Sequence, residues 1–173
     1  MKQALIVIDY QVDFVSGALG FPNADQLDAV ISAKCQNAMA NQIDLYFTLD
    51  THDEAYLDSH EGHHLPVVHC VKGSAGYEVY GKTKAFLAHA KKVFTKPTFP
   101  SLALANHFQQ EAYDVVELCG LVSNICVLSN VIMVKSACPN AQIIVDSTAT
   151  ASFDPQLHEQ ALSIMRGLHV DIR

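Results

Sequence analysis

The chain has no tryptophan at any of its 173 positions, and its 11 Lys plus Arg are outnumbered by 18 Asp plus Glu. A net charge of −7, with no basic cluster beyond Lys91-Lys92, argues against a nucleic-acid or anionic-membrane surface and favours a small-molecule partner. No apolar segment approaches the length of a membrane span. The stretch Ala4-Leu5-Ile6-Val7-Ile8 is too short for a signal segment and runs into Asp9, so a cytoplasmic protein is expected. The cysteines Cys35, Cys70, Cys119, Cys126 and Cys138 are odd in number and form no C-x-x-C pair, which speaks against a disulfide framework and a cysteine-rich zinc module. Repeats, low-complexity tracts and linkers are also missing. A single domain over residues 1–173 is therefore expected, and a hydrophobic content of 50% is ample for one large core.

What is present is a regular alternation. Apolar, β-branched runs predict strands at 4–9, 44–49, 92–95, 114–119, 142–145 and 169–172. Between them, Leu27, Val30, Ile31, Cys35 and Ala38 repeat at helical spacing, with Asn23 or Asp25 available as cap. Residues 101–110, the segment after Ser123, and 154–166 read the same way, the last opening on Asp154-Pro155. Strands alternating with helices imply parallel crossovers, and continuously apolar strands imply that both sheet faces are covered. The expected fold is α/β, a three-layer α/β/α sandwich around a mostly parallel six-stranded sheet. Residues 51–82 break the rhythm. They show no sustained periodicity, yet hold His52, His60, His63, His64 and His69, five of the nine histidines.

Ligands of an open parallel sheet bind beyond the carboxyl ends of its strands. Four predicted strands deliver chemistry there: Asp9 ends the first, Asp50 follows the second, Lys96 follows the third, and Cys126 lies just past the fourth. A thiol at a helix start is a weak signal alone, since most cysteines of this kind are core filler. Beside a carboxylate and an amine it gains meaning. The carboxylate can take the thiol proton, the ammonium favours the thiolate, and the sulfur can attack a carbonyl carbon.

The segments Ile8-Asp9-Tyr10-Gln11-Val12-Asp13-Phe14, Thr48-Leu49-Asp50-Thr51-His52, His69-Cys70 leading to Gly73-Ser74-Ala75-Gly76, Lys96-Pro97-Thr98-Phe99 and Gly120-Leu121-Val122-Ser123-Asn124-Ile125-Cys126 stand in this order. Together they resemble the isochorismatase-like cysteine hydrolases, and within them the nicotinamidase/pyrazinamidase group. The resemblance implies Cys126 as nucleophile, Asp9 as general base and Lys96 as stabilising cation. It further implies an oxyanion hole from the backbone N–H groups of Val122 and Cys126, with a cis peptide between Leu121 and Val122. Phe14 is implied as an aromatic wall of the substrate pocket, with Leu65 and Ile125 beside it, whereas Asp13 reads as a structural hydrogen-bonding residue.

A divalent metal is also implied, held by Asp50, His52 and His69 with Glu61 as fourth ligand and His60 or His63 as rivals. Such mixed donors suit zinc, iron or manganese, with zinc the first expectation. Two departures bear on substrate. Relatives commonly carry a tryptophan shortly before the position of His69, where this chain has Leu65, and some carry a polar or imidazole group where Ile125 stands. The expected activity is hydrolysis of a small amide, nicotinamide to nicotinate and ammonia as in NAD salvage. Alternatives are a metal-independent hydrolase of another amide or N-carbamoyl compound, and a thiol-based redox or binding protein. A homo-oligomer, joined through an apolar helix face, is left open.

Overall fold

The computed structural model describes all residues from Met1 to Arg173. Six strands, β1 (Gln3–Ile8), β2 (Asp44–Asp50), β3 (Lys92–Lys96), β4 (Val115–Leu121), β5 (Gln142–Ala151) and β6 (Asp171–Ile172), form one sheet in the order β3-β2-β1-β4-β5-β6. Every neighbouring pair is parallel. The helices are α1 (Val12–Val15), α2 (Leu27–Ala40), α3 (His60–His64), α4 (Leu102–Glu111), α5 (Leu128–Ala137) and α6 (Pro155–Gly167).

The apolar run of β1 divides cleanly between two cores. Ala4, Ile6 and Ile8 pack with Leu104, Phe108, Val131, Val134 and Met165 of α4, α5 and α6 on one face. Leu5 and Val7 pack with Leu27, Ile31 and Cys35 of α2 on the other. Successive side chains of a strand point to opposite faces, so a strand covered on both sides must be apolar throughout. This is the layering expected from the alternation, and the sheet is wholly parallel.

Boundaries moved where backbone conformation overrode the hydrophobic pattern. β2 and β3 each extend one residue past the predicted end, taking in Asp50 and Lys96, which stand opposite each other in register. β5 continues to Ala151: Leu118 pairs with Val145 but Gly120 pairs with Thr150, so Asp146-Ser147-Thr148-Ala149 bulge out before the ladder resumes. β6 is only two residues long because His169 takes a left-handed φ of 60° at the end of α6. Neither Asn23 nor Asp25 caps α2. A 3₁₀ turn at Ala24–Gln26 leads directly into it, and the Asn23 side chain accepts instead from Gln26 Nε2 at 3.0 Å. Asp154 does cap α6, its Oδ1 accepting from Gln156 N at 2.8 Å and Leu157 N at 3.1 Å.

Residues 51–82 are short turns pinned by polar side chains. Ser59 caps α3, accepting from Gly62 N at 2.9 Å, and His52 and Val71 form an isolated bridge. Asp13 accepts from Cys70 N at 2.7 Å and from Ala18 N at 3.2 Å, which ties this segment to α1. Asp13 is thus a structural anchor.

The sheet order reverses between β1 and β4, where a doubly wound sheet opens its ligand crevice. Gly120 sits at that point with φ of 114°, and a Cβ there would lie 2.0 Å from the Ile8 carbonyl oxygen. Both the conformation and the contact require glycine. Gly120→Ala should therefore cost about 3 kcal/mol, and lower the midpoint of thermal unfolding by roughly 10 °C in a chain of this size. Differential scanning calorimetry reads this directly, and an unchanged midpoint would show that the strands can part there freely.

Candidate active site

Asp9, Asp50, Lys96 and Cys126 converge in the crevice. All four are buried, with relative exposures of 0%, 3%, 2% and 5%. Lys96 Nζ lies 2.5 Å from Asp9 Oδ2, 3.2 Å from Asp50 Oδ1 and 3.7 Å from Cys126 Sγ, and it also donates to the Thr98 carbonyl at 3.1 Å. Asp9 has a left-handed φ of 44°, and its other oxygen accepts from Thr48 Oγ1 at 2.6 Å. An amine inside the protein is thereby enclosed by two carboxylates and a thiol.

The electrostatics follow from that enclosure. Burial works against the Lys96 ammonium, but Asp9, the cysteine and Asp50 outweigh it and hold its pKa above the ordinary lysine value. Burial pushes Asp9 up, opposed by Lys96 and reinforced by Asp50. Burial also drives the Cys126 thiol well up. The Lys96 ammonium opposes this, and the Asp9 and Asp50 carboxylates add to it. At rest the thiol keeps its proton, beside a carboxylate made more basic than usual. Burial raises the other four thiols as well, Cys35 to about 12, and none has an ammonium within bonding distance.

Cys126 lies within a π-helical turn, Ser123–Val127, that runs into α5. The helix start expected from sequence is thus a widened one. The Val122 carbonyl accepts the N–H of Ile125 and the N–H of Val127, each at 3.1 Å, and passes over that of Cys126. The Val122 N–H goes to no backbone carbonyl, and the Leu121–Val122 peptide is cis. Of the two N–H groups named from the resemblance, that of Val122 is left outside the backbone pairing of the turn.

Asp50 serves a second cluster with its other oxygen. Its Oδ2 lies 3.1 Å from His52 Nε2 and 3.4 Å from His69 Nε2, and Glu61 Oε1 lies 3.8 Å from His52 Nε2. One ligand atom from each of Asp50, His52, Glu61 and His69 falls within 4.8 Å of all the others. His69 Nδ1 is bonded to the Val67 carbonyl at 2.7 Å, which turns Nε2 inward, and Thr98 Oγ1 steadies Glu61 at 3.1 Å. Burial raises the Asp50 pKa, but the two imidazoles and Lys96 outweigh it and hold the carboxyl far below the usual range. Two imidazoles and two carboxylates, already oriented from outside, fit a divalent ion of the zinc, iron or manganese kind. Of the rivals, His60 stacks on His64 with ring centroids 4.6 Å apart, and His63 is exposed; neither joins the group.

A cavity of about 470 Å³ opens onto Cys126, Asp50 and His69, walled by Phe14, Leu19, Leu65, Phe99, Val122, Ile125 and Phe153. Phe14, Leu65 and Ile125, the residues named from sequence, are among its walls. Phe99 and Phe153 line it as well, and sequence reading passed over both because they sit on loops without periodicity. Gln11 was also missed. Wholly buried, it donates to the Asp50 carbonyl at 2.9 Å and accepts from the Asp50 N–H at 2.8 Å, clamping that residue as a neighbouring strand would. Asn130 of α5 similarly donates to the Cys126 carbonyl at 2.8 Å and the Phe99 carbonyl at 3.1 Å, joining two walls of the site. No helix is long and apolar enough to cross a membrane.

Residues 3–172 match the model of the isochorismatase domain, so the chain belongs to the isochorismatase family. Among solved structures it is similar to the nicotinamidase/pyrazinamidase PncA of Bacillus subtilis, at 31% identity over 99% of each chain with a TM-score of 0.89. It is also similar to the pyrazinamidase/nicotinamidase of Streptococcus mutans UA159, at 30% identity over 99% of this chain and 100% of that one with a TM-score of 0.87. The pyrazinamidase of Pyrococcus horikoshii, solved in complex with zinc, shares the fold with a TM-score of 0.84 at 21% identity, covering 100% of this chain and 99% of that one.

Proposed function

We propose that the protein is a cysteine amidase acting on small aromatic amides of the nicotinamide type. The observation that carries this is a buried thiol 3.7 Å from a lysine that is itself paired with a carboxylate, lining a largely apolar cavity of about 470 Å³. Asp9 takes the Cys126 proton as the thiolate adds to the amide carbon. The oxygen, now an anion, is met by the N–H groups of Val122 and Cys126, and Lys96 keeps the extra negative charge tolerable in a dry site. The carbon–nitrogen bond then breaks, ammonia leaves with the proton from Asp9, and a thioester remains on Cys126. Asp9 next draws a proton from water, whose oxygen adds to the thioester carbon; the carbon–sulfur bond breaks, the acid is released, and Asp9 returns the proton to the departing Cys126 thiolate.

Asp50, His52, Glu61 and His69 would hold a divalent ion. Such an ion supplies a Lewis-acidic anchor for a ring nitrogen, favouring heteroaromatic amides. Phe14, Phe99 and Phe153 offer flat apolar faces to the ring. A redox role is disfavoured by burial, which keeps the Cys126 thiol protonated and screened, unlike an exposed low-pKa sensor.

The test is ammonia release from nicotinamide, pyrazinamide, benzamide and an N-carbamoyl amino acid, measured with metal content. Turnover should be confined to the ring amides and be highest for those carrying a ring nitrogen. Hydrolysis of the N-carbamoyl compound alone would overturn the reading. His69→Ala should reduce bound metal and raise KM for nicotinamide by about tenfold or more, with a smaller effect on benzamide. Equal effects on both amides would remove the anchoring role.

A further inference from the structure

A histidine outside the catalytic group is bonded to the turn that carries the nucleophile. His158 Nδ1 on α6 lies 2.9 Å from Ser123 Oγ, and Ser123 is wholly buried. We infer that His158 is a positioning residue that, through Ser123, sets the cysteine turn and the N–H groups flanking Cys126.

Ser123 stands between the two N–H groups in question. It follows Val122 directly and is the first residue of the π-turn, and its carbonyl accepts the Leu128 N–H that closes the turn onto α5. A π-turn is rare and occurs mostly as a single widened turn at the start of or inside an α-helix, frequently at functional sites, so the contacts that hold this one matter. The carboxyl side of this turn is secured by Asn130, which holds the Cys126 carbonyl. On the amino side, the Ser123–His158 bond is the side-chain hydrogen bond that reaches the turn from another element. His158 can serve as a fixed point because α6 is itself immobilised. Asp154 caps it, Pro155 starts it, and Ala161, Leu162 and Met165 are buried in the core below the sheet. Without that bond the amino side of the turn loses its tether to α6, whichever partner is removed, and the turn is free to shift and carry the Val122 N–H with it.

The kinetic readout rests on the amidase reading; a second readout does not. His158→Phe keeps the ring volume and removes the bond, whereas His158→Asn places an amide near the position of Nδ1. For the best ring amide, His158→Phe is expected to lower kcat by about tenfold or more with KM within about twofold, and His158→Asn to restore most of it. Ser123→Ala should resemble His158→Phe, and the double variant should lose no more than either alone. Independently of any substrate, the rate at which iodoacetamide labels Cys126, located by peptide mass, should change by about fivefold or more in His158→Phe and stay near wild type in His158→Asn. Additive losses in the double variant, or wild-type labelling and kcat in His158→Phe, would overturn the proposal. If no amide is turned over, the amidase reading fails while the labelling comparison still decides the role of His158.

Discussion

Cys126→Ala is expected to bring amide turnover down to background, a loss of about 10⁴-fold or more, in a protein that remains folded. The size follows from covalent chemistry: without sulfur there is no thioester, and Asp9 and Lys96 have no group to activate. Folding should survive because the change removes a single buried atom from a core position packed by Val127 and Val131, at a cost of about 1 kcal/mol. Intact mass spectrometry during turnover should show an acyl adduct on the wild type and none on the variant. Cys126→Ser is the sharper comparison. An alkoxide is far harder to form than a thiolate in a site where burial already keeps the thiol protonated, so serine should fall nearly as far as alanine. A variant lacking the thiol that still hydrolyses the amide at more than about 1% of the wild-type rate would place the nucleophile elsewhere.

The parts of this molecule that were legible in its sequence are those ruled by periodicity or by chemical type. Continuous apolar strands announced a sheet covered on both faces, and Asp9, Asp50, Lys96 and Cys126 stood out because strand ends are where such a sheet exposes chemistry. Their register, with Asp50 opposite Lys96 and Ile8 opposite Gly120, depends on hydrogen bonding between distant segments that no local pattern encodes. The same reason hid Gln11 and Asn130. Each satisfies backbone groups 39 and 31 positions away, and a lone amide side chain carries no mark of its partner. Phe99 and Phe153 escaped because loops have no period, although Phe153 lies between Ser152 and Asp154, whose turn bond at 3.1 Å fixes it at the cavity mouth. The bulge in β5 was hidden by composition: Asp146, Ser147 and Thr148 read as the end of a strand, and only the pairing of Gly120 with Thr150 reveals that it resumes.

Lys96→Met should have the second largest effect, and on two quantities at once. Activity is expected to drop by about 10³-fold, since the thiolate and the later anions lose their counter-charge. Stability should fall by about 3–5 kcal/mol, or roughly 10 °C or more in unfolding midpoint, because Asp9 and Asp50 are left as buried carboxylates facing each other. The pH dependence distinguishes this from a mere packing defect. In the wild type the Lys96 pKa is raised, so its contribution is complete below the unfolded value of about 10.4 and is lost only as pH rises through the folded value. The Asp50 pKa is lowered, so its contribution is present above about 3.9 and is lost as pH falls through the folded value. Asp9 works the other way: its pKa is raised, and its ionisation costs stability as pH climbs from about 3.9 to the folded value. Removing the ammonium carries the Asp9 value higher still and extends that cost towards neutral pH. The gap in unfolding midpoint between Lys96→Met and wild type, both treated with chelator, should therefore widen from pH 5 to pH 8. Methionine matches the lysine stem in bulk, so a gap that stayed constant would trace the loss to packing and leave Asp9 without its partner in the mechanism.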